Sequence, residues 1–157
     1  LDDSIVSYIK KKYNILIGEV TAEMLKKKIG SVHPGVDRGV MEIRGRNLLN
    51  GLPAIITVSS AEIREAMHEQ VVHIIEAIRT TLENTPPELS SDIYDNGIML
   101  SGGGALLGGL DALVTHVTGI RATIAKAPLD AVAIGIGHVI EGSSDSDAVQ
   151  YRNRGSR

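Results

Sequence analysis

A chain of 157 residues, 43% hydrophobic and 22% charged, has the balance of a globular protein with one core or two small ones. It contains no Cys, Trp or Phe, which rules out disulfides and thiolate metal sites and leaves an aliphatic core. A formal net charge of −3 gives no general attraction to nucleic acid, and no apolar run approaches the roughly eighteen residues of a membrane span.

The sequence opens at Leu1, without Met and already inside helical periodicity, as expected of a piece of a longer protein. Asp2-Asp3, then Ile5, Val6 and Ile9, then Lys10-Lys11-Lys12 predict a helix over 2–12, with acid at its start and base at its end. Three lysines at a helix end read as a solvated terminus before they read as a phosphate or lipid patch. A second helix is predicted over 18–29, with Val20, Met24, Leu25 and Ile29 on its apolar side and Gly30 ending it. Glu23 and Lys26 stand three apart on one face of it and can pair. In isolation such a pair is an ordinary surface contact worth about 0.2–0.5 kcal/mol.

A loop over 31–39 holds His33, Pro34, Gly35 and Gly39. Strands are expected at 40–44, which alternates, and at 53–58, which is apolar. Arg44 and Arg46, in and after the first strand, read as solvated edge residues. Ser59-Ser60-Ala61-Glu62 has capping-box spacing and starts a long helix. Its apolar stripe is Ile63, Met67, Val71, Ile74, Ile78 and Leu82, widened by Val72 and Ile75. His68 and His73 are five apart, which does not make a metal-binding face. Thr85-Pro86-Pro87 stops this helix and starts a short one with Ile93 and Tyr94 as its apolar side.

Next come a strand at 97–100, the turn Ser101-Gly102-Gly103-Gly104, and a helix predicted over 105–117 from the spacing of Leu106, Leu107, Leu110, Leu113, Val114 and Val117. Three consecutive glycines let backbone approach a ligand, and a helix start leaves N–H groups pointing outward. The turn is neither G-x-G-x-x-G nor a Walker motif, so on its own it reads as a tight connection. Gly119, a strand at 121–125 and a helix at 131–140 follow. Gly135 and Gly137 weaken that last helix, and a close helix–sheet approach would account for them. Residues 143–157, rich in Ser, Asp, Asn and Arg, read as a disordered tail. Two strands flanking a helix imply a parallel β-α-β unit, whose ligands bind beyond the carboxyl ends of the strands, where Gly102 to Gly104 lie. No Ser-His-Asp set, metal-ligand spacing or phosphate-binding Lys in a glycine loop is present, and nothing evident would activate a water.

Tyr13-Asn14, Ile17-Gly18-Glu19, Thr21-Ala22-Glu23, Met41-Glu42-Ile43-Arg44-Gly45-Arg46, Gly51-Leu52-Pro53, Leu82-Glu83-Asn84-Thr85-Pro86-Pro87-Glu88-Leu89 and Gly102-Gly103-Gly104-Ala105-Leu106-Leu107 occur in that order. Together they resemble the bacterial actin homologues of the MreB/Mbl family, over residues 1–141. The resemblance implies an α/β, actin-like ATPase (ribonuclease H-like) fold of which this chain is the second lobe only: a mixed sheet flanked by helices plus a small outer α+β subdomain. Residues 1–58 would be the outer subdomain, 59–142 most of the inner one, and 143–157 the tail.

Family members are two-lobed ATPases that form filaments under the cytoplasmic membrane and guide cell-wall synthesis in rod-shaped cells. By resemblance, Glu23 and Lys26 would contact adenine or ribose from one wall, and Gly103, Gly104, Ala105 and Leu106 from the other. The cofactor implied is ATP or ADP with Mg2+, the metal held mainly by the other half. A weak ATPase is expected of an intact member and no catalytic residue in this chain, since the two acidic phosphate loops and the catalytic carboxylates have no counterpart here. The family's membrane element also lies in the other half. Ser101 stands where Thr is common. The partners implied are further copies in head-to-tail filaments and membrane-anchored cell-shape and cell-wall synthesis proteins such as RodZ-type adaptors, with no nucleic acid. The location implied is the cytoplasm, at the inner face of the membrane. The competing readings are a sugar-kinase or Hsp70-type member of the superfamily, for which no substrate segment or peptide-binding domain is visible, and a regulatory fragment that binds filament ends.

Overall fold

The structure is a computed structural model that describes residues 1–142; the tail expected over 143–157 lies outside the described residues. The described elements are α1 (Asp2–Tyr13), β1 (Ile15–Leu16), α2 (Glu19–Ile29), β2 (Val40–Asn47), β3 (Pro53–Ser59), α3 (Ser60–Glu83), α4 (Pro87–Asn96), β4 (Ile98–Leu100), a 3-10 turn (Gly103–Leu106), α5 (Leu110–Thr118), β5 (Ala122–Ile124) and α6 (Ala131–Gly142).

β1, β2 and β3 form an antiparallel sheet in that order. β2 and β3 pair from Val40↔Ser59 to Arg46↔Pro53, and β1 adds Ile15↔Asn47 and Leu16↔Arg46. The alternation of β2 puts Ile43 inward and leaves Arg44 and Arg46 toward solvent. α1, α2 and α3 contribute Ile5, Ile9, Leu25, Ile63 and Met67, all fully buried, to a core that also takes Val58 from β3. At the start of α3 the capping box forms in full: the Ser59 hydroxyl accepts from the Glu62 amide and the Glu62 carboxylate from the Ser59 amide. β4 and β5 pair in parallel, Ile98↔Ala122 to Leu100↔Ile124, with α5 as the crossover.

Several expectations are corrected. The stripe of α3 is buried at Ile63, Met67, Val71 and Ile75; Ile74 is exposed because steps of four return to the core face at Ile75. Ile78 keeps its place against the core, partly buried, and with Ile74, Leu82, Ile93 and Ile98 also lines an apolar groove of about 500 Å³. Tyr94 is 71% exposed and is not on a packed side of α4. The helix expected over 105–117 is two elements: a 3-10 turn and α5, separated by Leu107-Gly108-Gly109, with Gly109 in the left-handed region at φ 78°. An added Cβ on Gly135 or Gly137 would meet nothing within 4 Å among the described residues, so no close helix–sheet approach explains these glycines.

Candidate functional site

The expected pairing of Glu23 with Lys26 is not what forms. Lys26 Nζ lies 2.7 Å from Asp2 Oδ2 on α1, and Glu23 pairs with Lys27 at 2.7 Å, one helical turn on. Glu followed by Lys at i,i+4 is the better oriented surface pair. Lys26 points toward α1, whose first residue offers a carboxylate across the α1–α2 contact. Glu23 remains half exposed and, with Asp2, Asp3, Glu19 and Val20, lines an acidic depression of about 430 Å³.

The second predicted wall is the glycine turn. Gly102 has φ 80° and donates its amide to Pro128 O at 2.7 Å, and the Ser101 hydroxyl donates to the same carbonyl at 3.1 Å, so the loop before α6 holds the turn from behind. An added Cβ on Gly102 or Gly104 would meet nothing within 4 Å among the described residues, and one on Gly103 only the end of Leu129 at 3.5 Å. Ala105 is buried and Leu106 half exposed. The turn therefore presents bare backbone beside one apolar side chain.

A connection that local sequence rules miss ties the two walls together. Ser31 and Gly108 form a parallel bridge, and the Val32 amide donates to Gly108 O at 2.8 Å. A side chain is excluded at Gly108, where an added Cβ would lie 2.7 Å from Arg38 Nε and 3.0 Å from Gly30 O; Gly30 itself is closed by the end of α2, where an added Cβ would lie 2.2 Å from Lys26 O. Arg64 of α3 secures the loop by donating to Ser31 Oγ at 3.1 Å and Val36 O at 3.4 Å. The end of the helix bearing Glu23 and Lys26 is thus fixed to the end of the glycine turn. The available sequence signal was the pair of breaks Gly30-Ser31 and Gly108-Gly109.

Beneath this arrangement, α1 is locked to α3. Lys12 Nζ lies 2.9 Å from Glu62 Oε1, the Tyr13 hydroxyl donates to the same oxygen, and the Tyr8 hydroxyl donates to Glu65 at 2.6 Å. Lys12 is therefore a paired residue and not only the solvated end of a lysine run. Burial works to raise the Glu62 carboxyl, but hydrogen bonds from Tyr13, Lys12 and Ser59 outweigh it and bring its pKa from the ordinary 4.5 down to about 2. The Tyr13 phenol is pushed up, first by its bond to Glu62 and then by burial.

Chemically, one ammonium, one half-exposed carboxylate and open backbone suit hydrogen bonding and stacking with a neutral flat or sugar-like group. Among the described residues no group of three His, Asp or Glu is placed to hold a metal. No helix among the described residues is long and apolar enough to cross a membrane.

Residues 1–148 match the MreB/Mbl protein family. The chain belongs to that family. It is 49% identical over 140 residues to the cell shape-determining protein Mbl of Bacillus cereus, covering 89% of this chain and 42% of that protein. It is 46% identical over 140 residues to the cell shape-determining protein MreB of Escherichia coli K12, covering 89% of this chain and 40% of that protein. Among solved structures it is similar to MreB5 of Spiroplasma citri bound to ADP, with TM-score 0.84 and 38% identity over 92% of this chain and 45% of the other. The chain spans less than half the length of the relatives it matches. A MamK double helical filament, at 23% identity and TM-score 0.65, shares the fold. The architecture is therefore part of an actin-like fold, and the family is one of cell shape-determining proteins.

Proposed function

We propose that this chain is the adenosine-contacting portion of an ATP-binding, filament-forming cytoskeletal protein that sets rod cell shape by guiding cell-wall synthesis at the inner face of the membrane. The observation that carries the reading is the open backbone of the glycine turn stitched to the end of α2, in a chain similar to MreB5 bound to ADP. Glu23 and Lys26 would hydrogen-bond the ribose or base from the α2 side. Gly103, Gly104 and Ala105 would let the base lie against backbone, and Leu106 would add apolar contact. Mg2+ and the terminal phosphates would be held by residues outside this chain, so this portion binds nucleotide without hydrolysing it. Phosphoryl transfer depends on clamping the γ-phosphate and its metal.

Residues 1–58 form the outer subdomain in this reading and 59–142 most of the inner one. Filament contacts are heterologous, since head-to-tail rows need two different surfaces on each subunit. The loop over 31–39 and the hairpin end over 46–51, where Leu48 and Leu49 are exposed, are the candidate surfaces for this chain's parts of the two longitudinal contacts. Membrane-anchored adaptors of the RodZ type would connect the filament to cell-wall synthesis.

Gly104 supplies the test. Its Cβ position is open and its φ is not in the left-handed region, so Gly104→Val should leave the melting temperature within about 2 °C. A valine there would occupy the space assigned to the nucleotide and weaken ADP binding at least about tenfold. Calorimetric titration of both proteins decides it, and equal affinities would remove the glycine turn from the site.

A further inference from the structure

We propose that Asp2 is a positioning residue for nucleotide binding, acting through Lys26; this rests on the reading of the site given above. Asp2 is the first residue of α1, where a carboxylate suits the helix dipole; the cap position is Leu1, whose side chain has no acceptor. The Oδ2 of Asp2 is turned across to the neighbouring helix, 2.7 Å from Lys26 Nζ. The pair is partly withdrawn from water, with 23% of the Lys26 side chain and 35% of the Asp2 side chain exposed. By contrast Lys27, one residue on, is 69% exposed and paired only with Glu23 of its own helix. The other Asp2 oxygen, Oδ1, is buried and has no hydrogen-bond partner among the described residues. A carboxylate held with an acceptor unsatisfied costs stability, and the one ion pair it does make is spent on the ammonium of Lys26.

A free lysine ammonium sits on a flexible four-carbon stem, and a ligand that uses it must first immobilise it. Asp2 removes that cost beforehand. It takes one of the three ammonium donors and leaves two for a ribose hydroxyl or a base nitrogen. The end of the same helix is fixed to the glycine turn by Ser31 and Gly108, so an ordered Lys26 has a set direction relative to the opposite wall.

The test is a double-mutant cycle read by ADP titration of the intact protein, with thermal melts of each variant. Asp2→Asn keeps the shape and loses the charge, and should weaken ADP about fivefold. In a Lys26→Ala background the same substitution should have no further effect on affinity. Asp2→Glu, which keeps the charge one methylene further out, should bind within about twofold of the unchanged protein. Unchanged affinity in Asp2→Asn, or an equal loss with and without Lys26, overturns the proposal. An unchanged protein that fails to bind ADP overturns the reading of the site itself, and the role of Asp2 with it.

Discussion

The part of the molecule built from α1, α2, β2, β3 and the first half of α3 differs in kind from the part around β4, β5 and α6. In the first, Ile5, Ile9, Leu25, Val58, Ile63 and Met67 have no accessible surface, although Val20, Val40 and Ile55 on its outer faces are more than half exposed. In the second, Met99, Leu129, Val132, Ile136 and Val139 are more than half exposed. α6 carries apolar side chains on all sides and, among the described residues, has no extensive packing against another element. A helix that is hydrophobic all round belongs in an interior. A two-stranded sheet of three residues per strand is not self-sufficient either. The first region holds most of the described core, whereas the second leaves much of its apolar surface uncovered among the described residues; the relatives this chain matches are more than twice as long.

Three substitutions sharpen that contrast. The largest effect belongs to Met67→Ala, which empties a fully buried position in the sealed core and should cost about 2–5 kcal/mol by denaturant unfolding. Glu62→Gln comes second, at on the order of 2 kcal/mol at pH 7, because the folded state holds this carboxyl at about 2 against an ordinary 4.5. Lowered in the folded state, the Glu62 pKa makes a contribution that is present above pH 4.5 and is lost as pH falls toward 2. Unfolding measured from pH 7 downward should therefore show the gap between the two proteins narrowing below pH 4.5; a gap independent of pH would mean the charge of Glu62 is not what stabilises. Val139→Ser should be smallest, within about 0.5 kcal/mol in this chain, since its side chain is already in water. A cost approaching that of Met67→Ala would show α6 to be packed in solution and would break the contrast.

Much of the fold was legible because local rules decided it. The acid-to-base polarity of α1, the Ser59–Glu62 box and the strands β2 and β3 follow from residues close in sequence, and the parallel pairing of β4 with β5 from the helix between them. β1 was missed because a two-residue strand has no period to detect. The helix expected over 105–117 failed at Gly108-Gly109, where leucine spacing continued across a break that the left-handed Gly109 makes and the bridge from Ser31 to Gly108 occupies. For the site, the residue types and the two walls came from the family resemblance, and the geometry between them did not. The i,i+3 spacing of Glu23 and Lys26 says only that they share a helix face. It cannot reveal that a carboxylate on α1 takes the ammonium, because that choice is made by helix–helix packing.

The stitch between Val32 and Gly108 also bears on the order of folding. It closes a long loop, whose entropic cost grows only slowly with length but must be met before the contact returns anything. The seating of the glycine turn on the end of α2 is thus a long-range contact, made across β2, β3, α3, α4 and β4. Releasing Gly108 O would free the Val32 amide to exchange. Hydrogen exchange at Val32, a residue outside both proposed walls, thus becomes a gauge of how firmly those walls are held.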